Sequence, residues 1–203
     1  SGETTIMNPL KSLVGTTVAG IIIALAFAFA LRGDAGGNPV EWTVWFHVVV
    51  GIMWIGLLYY FNFVQVPAVG QALSDGDPGP AAINKYVAPK ALFYFRWAAL
   101  LTWLSGLSAL AQIGGGMQGI INAFTMQEGM AVIGMGSWLG TIMLFNVWVL
   151  IWPNQKKILG IKSASAEEIA KSKVIALMAS RTNTMLSIPL LLSMTAYGHG
   201  LPF

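Results

Sequence analysis

Five runs of about twenty apolar residues, each closed by a charge, a proline or a glycine cluster, dominate this chain and leave it few ways to fold. The runs are 13–31, ended by Arg32-Gly33-Asp34; 44–64, ended by Pro67; 91–113, ended by Gly114-Gly115-Gly116; 130–152, stopped by Pro153; and 174–197. A bilayer core about 30 Å thick needs about 20 such residues in a helix. Composition agrees. Of 203 residues, 56% are hydrophobic and 9% charged, against roughly 25% charged in a soluble domain. So little charge cannot cover a surface in water. The expectation is an all-α integral membrane protein, a single five-helix transmembrane bundle.

The first run has a basic flank at Lys11, and Ala28-Phe29-Ala30 is similar to a signal-peptide cleavage site. The run is long for a signal peptide and is read as a retained span. Positive charge sets the expected direction. Lys11 precedes the first span. Lys85, Lys90 and Arg96 fall between or just inside spans two and three. Lys156, Lys157, Lys162, Lys171, Lys173 and Arg181 fall between or just inside spans four and five. The opposite side holds Arg32 alone. The N-terminus is therefore expected inside and the C-terminus outside, in a bacterial inner (cytoplasmic) membrane. Ser165 with Glu168 fits a capping box that starts a polar helix running into span five, and Pro189 is expected to kink that span.

The chain has no cysteine, which excludes disulfides, iron–sulfur clusters, thiolate catalysis and covalent haem attachment. A formal charge of +3 is too small to suggest nucleic acid. Imidazole can come only from His47 and His199. By the expected directions, both lie near the outer face, on facing helices. Two such imidazoles can hold a haem b iron from both sides, with metal ligands His47 and His199. Gly51, one turn from His47, and Gly136 and Gly140 offer small surfaces for a ring, and Trp54 a wall. Other readings stand beside this one. Such a histidine can simply be hydrated, glycines can serve helix packing, and tryptophans can form the interfacial belt. A metal site of two histidines is disfavoured, because no carboxylate lies beside either at ligand spacing.

A second polar group gathers at the other face: Asn62, Arg96, Asn146, Arg181 and Asn183. Intramembrane polar side chains are costly and usually face the bundle interior. They are read as a substrate pocket or a hydrogen-bonded network, with Arg181 pointing inward. Arg181 lies about 27 Å from His199 along the helix, too far to touch a haem there.

Three strings carry a resemblance. They are His47-x-x-x-Gly51-x-x-Trp54-Ile55-Gly56; Asn146-Val147-Trp148 with Ile151-Trp152-Pro153-x-Gln155-Lys156; and Ser180-Arg181-Thr182-Asn183-Thr184-x-x-Ser187-Ile188-Pro189. Together they resemble the membrane domain of cytochrome-c-linked urate hydroxylases. The first string also resembles a wider set of membrane haem proteins. In the family, a C-terminal c-type cytochrome follows the membrane domain. This chain lacks Cys-x-x-Cys-His and is shorter than the usual membrane domain. The resemblance thus implies a haem-bearing membrane part beside a separate c-type cytochrome or within a larger membrane complex. Three functions follow: a b-type haem electron-transfer protein or subunit, an oxidoreductase acting on a small purine-like or anionic substrate, or a cofactor-free accessory subunit.

Overall fold

The computed structural model describes residues 8–203, so the first seven residues, where the cytoplasmic N-terminus is expected, lie outside the described part. The described residues form helices joined by loops, with no strand among them. They divide into two compact units, one that ends at residue 38 and one of residues 39–203.

The first unit holds α1, Leu13–Leu31. Ser12 caps it by accepting the Gly15 N–H at 3.0 Å. Thr16 and Thr17 donate their hydroxyls to the carbonyls of Ser12 and Leu13, both at 2.9 Å, which lets threonine sit in an apolar helix. No residue of α1 is buried.

The second unit holds α2, Pro39–Asp75; α3, Ile83–Ile113; α4, Met117–Phe124; α5, Ala131–Ile158; and α6, Ala166–His199. Among the described residues, four helices are long and apolar enough to cross a membrane, and α3 with α4 makes a fifth if the bent pair is one span. Cross-helix bonds fix the arrangement. Thr43 meets Gln112 and His47 meets Thr102, so α2 and α3 are antiparallel. Trp103 meets Thr141 and Arg96 meets Trp148, so α3 and α5 are antiparallel. Asn146 meets Asn183 and Met130 meets Tyr197, which sets α5 against α6. Tyr59 meets Ser187 and Asn62 meets Ser180, which closes the ring of α2, α3, α5 and α6. The histidines lie toward one end of this bundle. The lysines of α3, α5 and α6 lie toward the other.

The core is built from Trp54, Leu58 and Phe61 of α2, Phe95 and Ala99 of α3, Met143 and Val147 of α5, and Ala179 and Leu190 of α6. Small residues dominate the contact face of α6: Ser172, Ala176, Ala179, Asn183, Ser187, Leu190, Ser193 and Ala196 are buried at steps of three and four. Without a hydrophobic drive between helices in lipid, close backbone approach and polar contacts hold such a bundle.

Two helices run further than their apolar stretches. Pro67 and Pro153 were expected to end spans two and four, yet α2 continues to Asp75 and α5 to Ile158. The reason is local. A π-helical segment, Tyr60–Gln65 or Asn146–Ile151, precedes each proline. A third, Ile83–Val87, stands likewise before Pro89 of α3. Proline lacks an N–H, and its ring collides with the carbonyl four residues back. A wider turn moves that carbonyl away, and the helix continues. Pro189 lies inside α6 without interrupting it.

The glycine cluster after α3 is a bend of 108° into α4, a helix with no counterpart among the expected spans. Gly115 and Gly116 have positive φ, which allows the turn. Gly119 packs against Gly114 and the Leu110 carbonyl, and Gly134 against the Ala123 carbonyl. Any side chain at those glycines would push α4 off the ends of its neighbours. The Ser165 capping box is present. Ser165 accepts the Glu168 N–H at 3.2 Å, and Glu168 accepts the Ser165 N–H at 2.8 Å.

Candidate functional site

His47 sits on the face of α2 that meets α3. Its Nδ1 lies 2.8 Å from the Thr102 carbonyl and 3.1 Å from the Ser105 hydroxyl. A carbonyl only accepts, so the proton is on Nδ1. The neutral ring then carries its lone pair on Nε2. Ser105 donates its own hydrogen to the Leu101 carbonyl at 2.7 Å, and so accepts from the ring. Gly106 makes this approach possible. A Cβ there would stand 3.1 Å from His47 Cε1 and 3.4 Å from Nδ1. Gly51, one turn on, faces the methyl of Thr102.

Trp54 continues the same face of α2 and is 2% exposed. Its indole N–H finds no acceptor, although it is buried. His199 is the last residue of α6, exposed, with no hydrogen bond among the described residues. The register of α2 against α6 relates the two histidines. His47 precedes Tyr59 by 12 residues, and His199 follows Ser187 by 12.

Gly136 and Gly140 face α6. A Cβ at Gly136 would meet the Ser193 hydroxyl at 2.6 Å and the Met194 methyl at 3.1 Å, and one at Gly140 would meet Leu190 at 3.8 Å. Ser193 also donates to the Val132 carbonyl, which holds α6 against α5 there. The small-residue face of α5 is therefore occupied by a helix–helix contact.

The polar layer is a set of satisfied pairs at the π segments. Asn146 donates to Asn183 at 2.8 Å, and Asn183 donates to the Met143 carbonyl at 3.0 Å. Asn183 is fully buried. Asn62 donates to the Leu58 carbonyl at 2.9 Å and to Ser180 at 2.8 Å. Tyr59 and Ser187 share a bond of 2.8 Å. Only the side-chain oxygens of Asn62 and Gln65 stay buried without partners.

Arg181 requires a correction. It does not point inward and bonds none of the asparagines; its side chain is on the exposed face of α6. Asn183 owns the inward position, and two helical residues further back lies about 200° away, on the opposite face. Arg96 is half-buried, and its guanidinium lies 3.8 Å from the centre of the Trp152 ring and 5.3 Å from that of Phe93. Trp148 donates to the Arg96 carbonyl at 3.2 Å. Arg96 is thus stacked on aromatic rings, beside the polar layer and outside its hydrogen bonds.

No group of three or more His, Cys, Asp or Glu among the described residues is placed to hold a metal ion. Sequence reasoning missed Thr102, Ser105, Ser180 and Tyr59 as partners. Ser180, Asn183 and Ser187 recur at three and four residues, so that part was available as a pattern. The Thr102 carbonyl carried no signal, because every residue has a carbonyl.

Fold and site together define an all-helical protein with several candidate membrane spans and a histidine whose tautomer is fixed by a backbone carbonyl. Residues 117–202 match the family model described as urate oxidase N-terminal. That is the family the motifs resemble. The match takes in α4, α5 and α6, with Asn146, Asn183 and His199. The His47 half of the bundle lies outside it. No curated protein and no solved structure matches the chain.

Proposed function

We propose that this chain is a multi-pass membrane haem protein or subunit for electron transfer, related to the urate oxidase N-terminal domain, with His47 and His199 as the two axial ligands of a haem b. The observation that carries the reading is the bond from His47 Nδ1 to the Thr102 carbonyl at 2.8 Å. Metal-bound histidines almost always donate their other N–H to a carbonyl or carboxylate, which fixes the ring and raises the basicity of the ligating nitrogen. The equal offsets of the two histidines from the Tyr59–Ser187 bond support a common depth. At 1.5 Å per residue, each lies about 18 Å from that level.

A bound haem would supply a one-electron carrier. The chain's own residues hold the ligand ring, exclude water through the Trp54 core and keep α2 registered against α3. The lysine-rich end is assigned to the cytoplasm of a bacterial inner membrane, so the histidines face outward, toward a c-type cytochrome or a larger membrane complex.

The test is an absorption spectrum of the full chain purified from membranes, with pyridine haemochrome analysis. A low-spin haem b spectrum, lost in His47→Ala, is the expected result. A colourless protein from haem-replete cells would remove the reading and leave a cofactor-free accessory subunit. The polar layer supports no second reading as a substrate pocket, because its asparagines mainly bond to one another, to a serine and to carbonyls.

A further inference from the structure

A cleft opens at the lysine end of the bundle, between the close of α5 and the start of α6. It is lined by Asn154, Lys157, Glu168, Lys171, Ser172 and Ile175. We propose that this cleft binds the phosphate of an anionic phospholipid. The proposal rests on the membrane reading above and is independent of haem.

Three donors converge there. Ser172 lines the cleft, and its hydroxyl makes no hydrogen bond among the described residues. A hydroxyl that opens on a cleft without a protein partner is free to donate to an oxygen that enters. Asn154 uses one amide hydrogen on the Leu150 carbonyl at 2.7 Å and keeps the other. Lys171 has no ion pair among the described residues. The remaining charges have partners. Glu168 accepts from the Ser165 N–H through one oxygen and pairs with Lys157 at 3.5 Å through the other. Its repulsion of an anion is thus offset by Lys157, and Lys171 stays available.

The surroundings favour a lipid over free phosphate. Lys156, next to Lys157, and Lys162, whose backbone N–H donates to the Lys156 carbonyl at 3.0 Å, add positive charge beside the cleft. Ile175 continues it toward the apolar part of α6, where Val174 and Met178 are exposed. A phosphate that carried acyl chains would place its charge on Lys171 and its chains along this apolar path. Trp152, covered by Arg96 at 3.8 Å and with Lys156 at 5.8 Å, provides the indole and cation pair typical of headgroup depth. Basic pockets between helices at this level are established headgroup sites in other membrane proteins.

The full chain would be reconstituted in nanodiscs of phosphatidylcholine with a minor share of phosphatidylglycerol, and retained lipid read by native mass spectrometry. Insertion into pure phosphatidylcholine tests the membrane reading separately. The expected result is selective retention of phosphatidylglycerol, reduced roughly fivefold by Lys171→Gln and roughly threefold by Ser172→Ala. Lys173→Gln, next to the cleft but outside it, should change retention by less than about twofold. An unchanged melting temperature certifies that each variant is folded. Equal loss in Lys171→Gln and Lys173→Gln would reduce the effect to surface charge and overturn the proposal. So would retention without headgroup preference, or inorganic phosphate binding the detergent-purified chain with the same dependence on Lys171 and Ser172.

Discussion

The two ends of the bundle use polar side chains in opposite ways. Toward the lysine end, Asn62, Asn146 and Asn183 donate to Ser180, to one another and to carbonyls. Toward the histidine end, His47 donates through Nδ1 and leaves Nε2 with no hydrogen bond among the described residues. A polar residue in a membrane helix is costly in either place. Where the bonds close on themselves, they hold helices together. The lysine end is not fully closed, since the side-chain oxygens of Asn62 and Gln65 stay buried without partners.

The comparison breaks first at His47. His47→Ala should lower bound haem at least about tenfold while the bundle stays folded, as measured by haemochrome content per mole of protein. His199→Ala should leave some haem but turn its spectrum from low to high spin, because one axial ligand is lost. Equal haem in both variants and the parent would place the iron elsewhere.

At the satisfied end, Asn183→Ala removes the acceptor of Asn146 and the donor to Met143. A loss of about 1–2 kcal/mol is expected, read as a lower melting temperature, with the haem spectrum unmoved. A spectral change there would join the two ends into one site. Gly136→Leu must displace Ser193 and Met194, and should cost about 1–3 kcal/mol through overpacking of α5 on α6. The smallest effect is expected from Arg181→Ala. Its exposed side chain should contribute less than about 0.5 kcal/mol to stability. A larger loss would return Arg181 to the polar layer from which the structure removes it.

Hydropathy alone made the long apolar helices legible as candidate spans, because a run of twenty apolar residues stands out from any soluble segment. The Ser165–Glu168 cap was equally readable, since its partners are three residues apart and need no tertiary help. The histidine pair could be singled out because the chain has no other imidazole. Helix α4 was not legible, since eight residues after a glycine cluster look like loop until they wedge against Gly114 and Gly134.

By itself, then, the sequence determined an apolar helical bundle, its candidate ligands and its lysine-rich end, all properties of composition and short spacing. Tertiary structure alone decided which face each polar residue took. Arg181 and Asn183 are two residues apart, in the same motif, and only the packing of α6 on α5 turned one outward and buried the other. Likewise, only the approach of α2 to Gly106 brought His47 to the Thr102 carbonyl. A backbone oxygen has no letter in the sequence, and which one a side chain meets is settled by helices coming together.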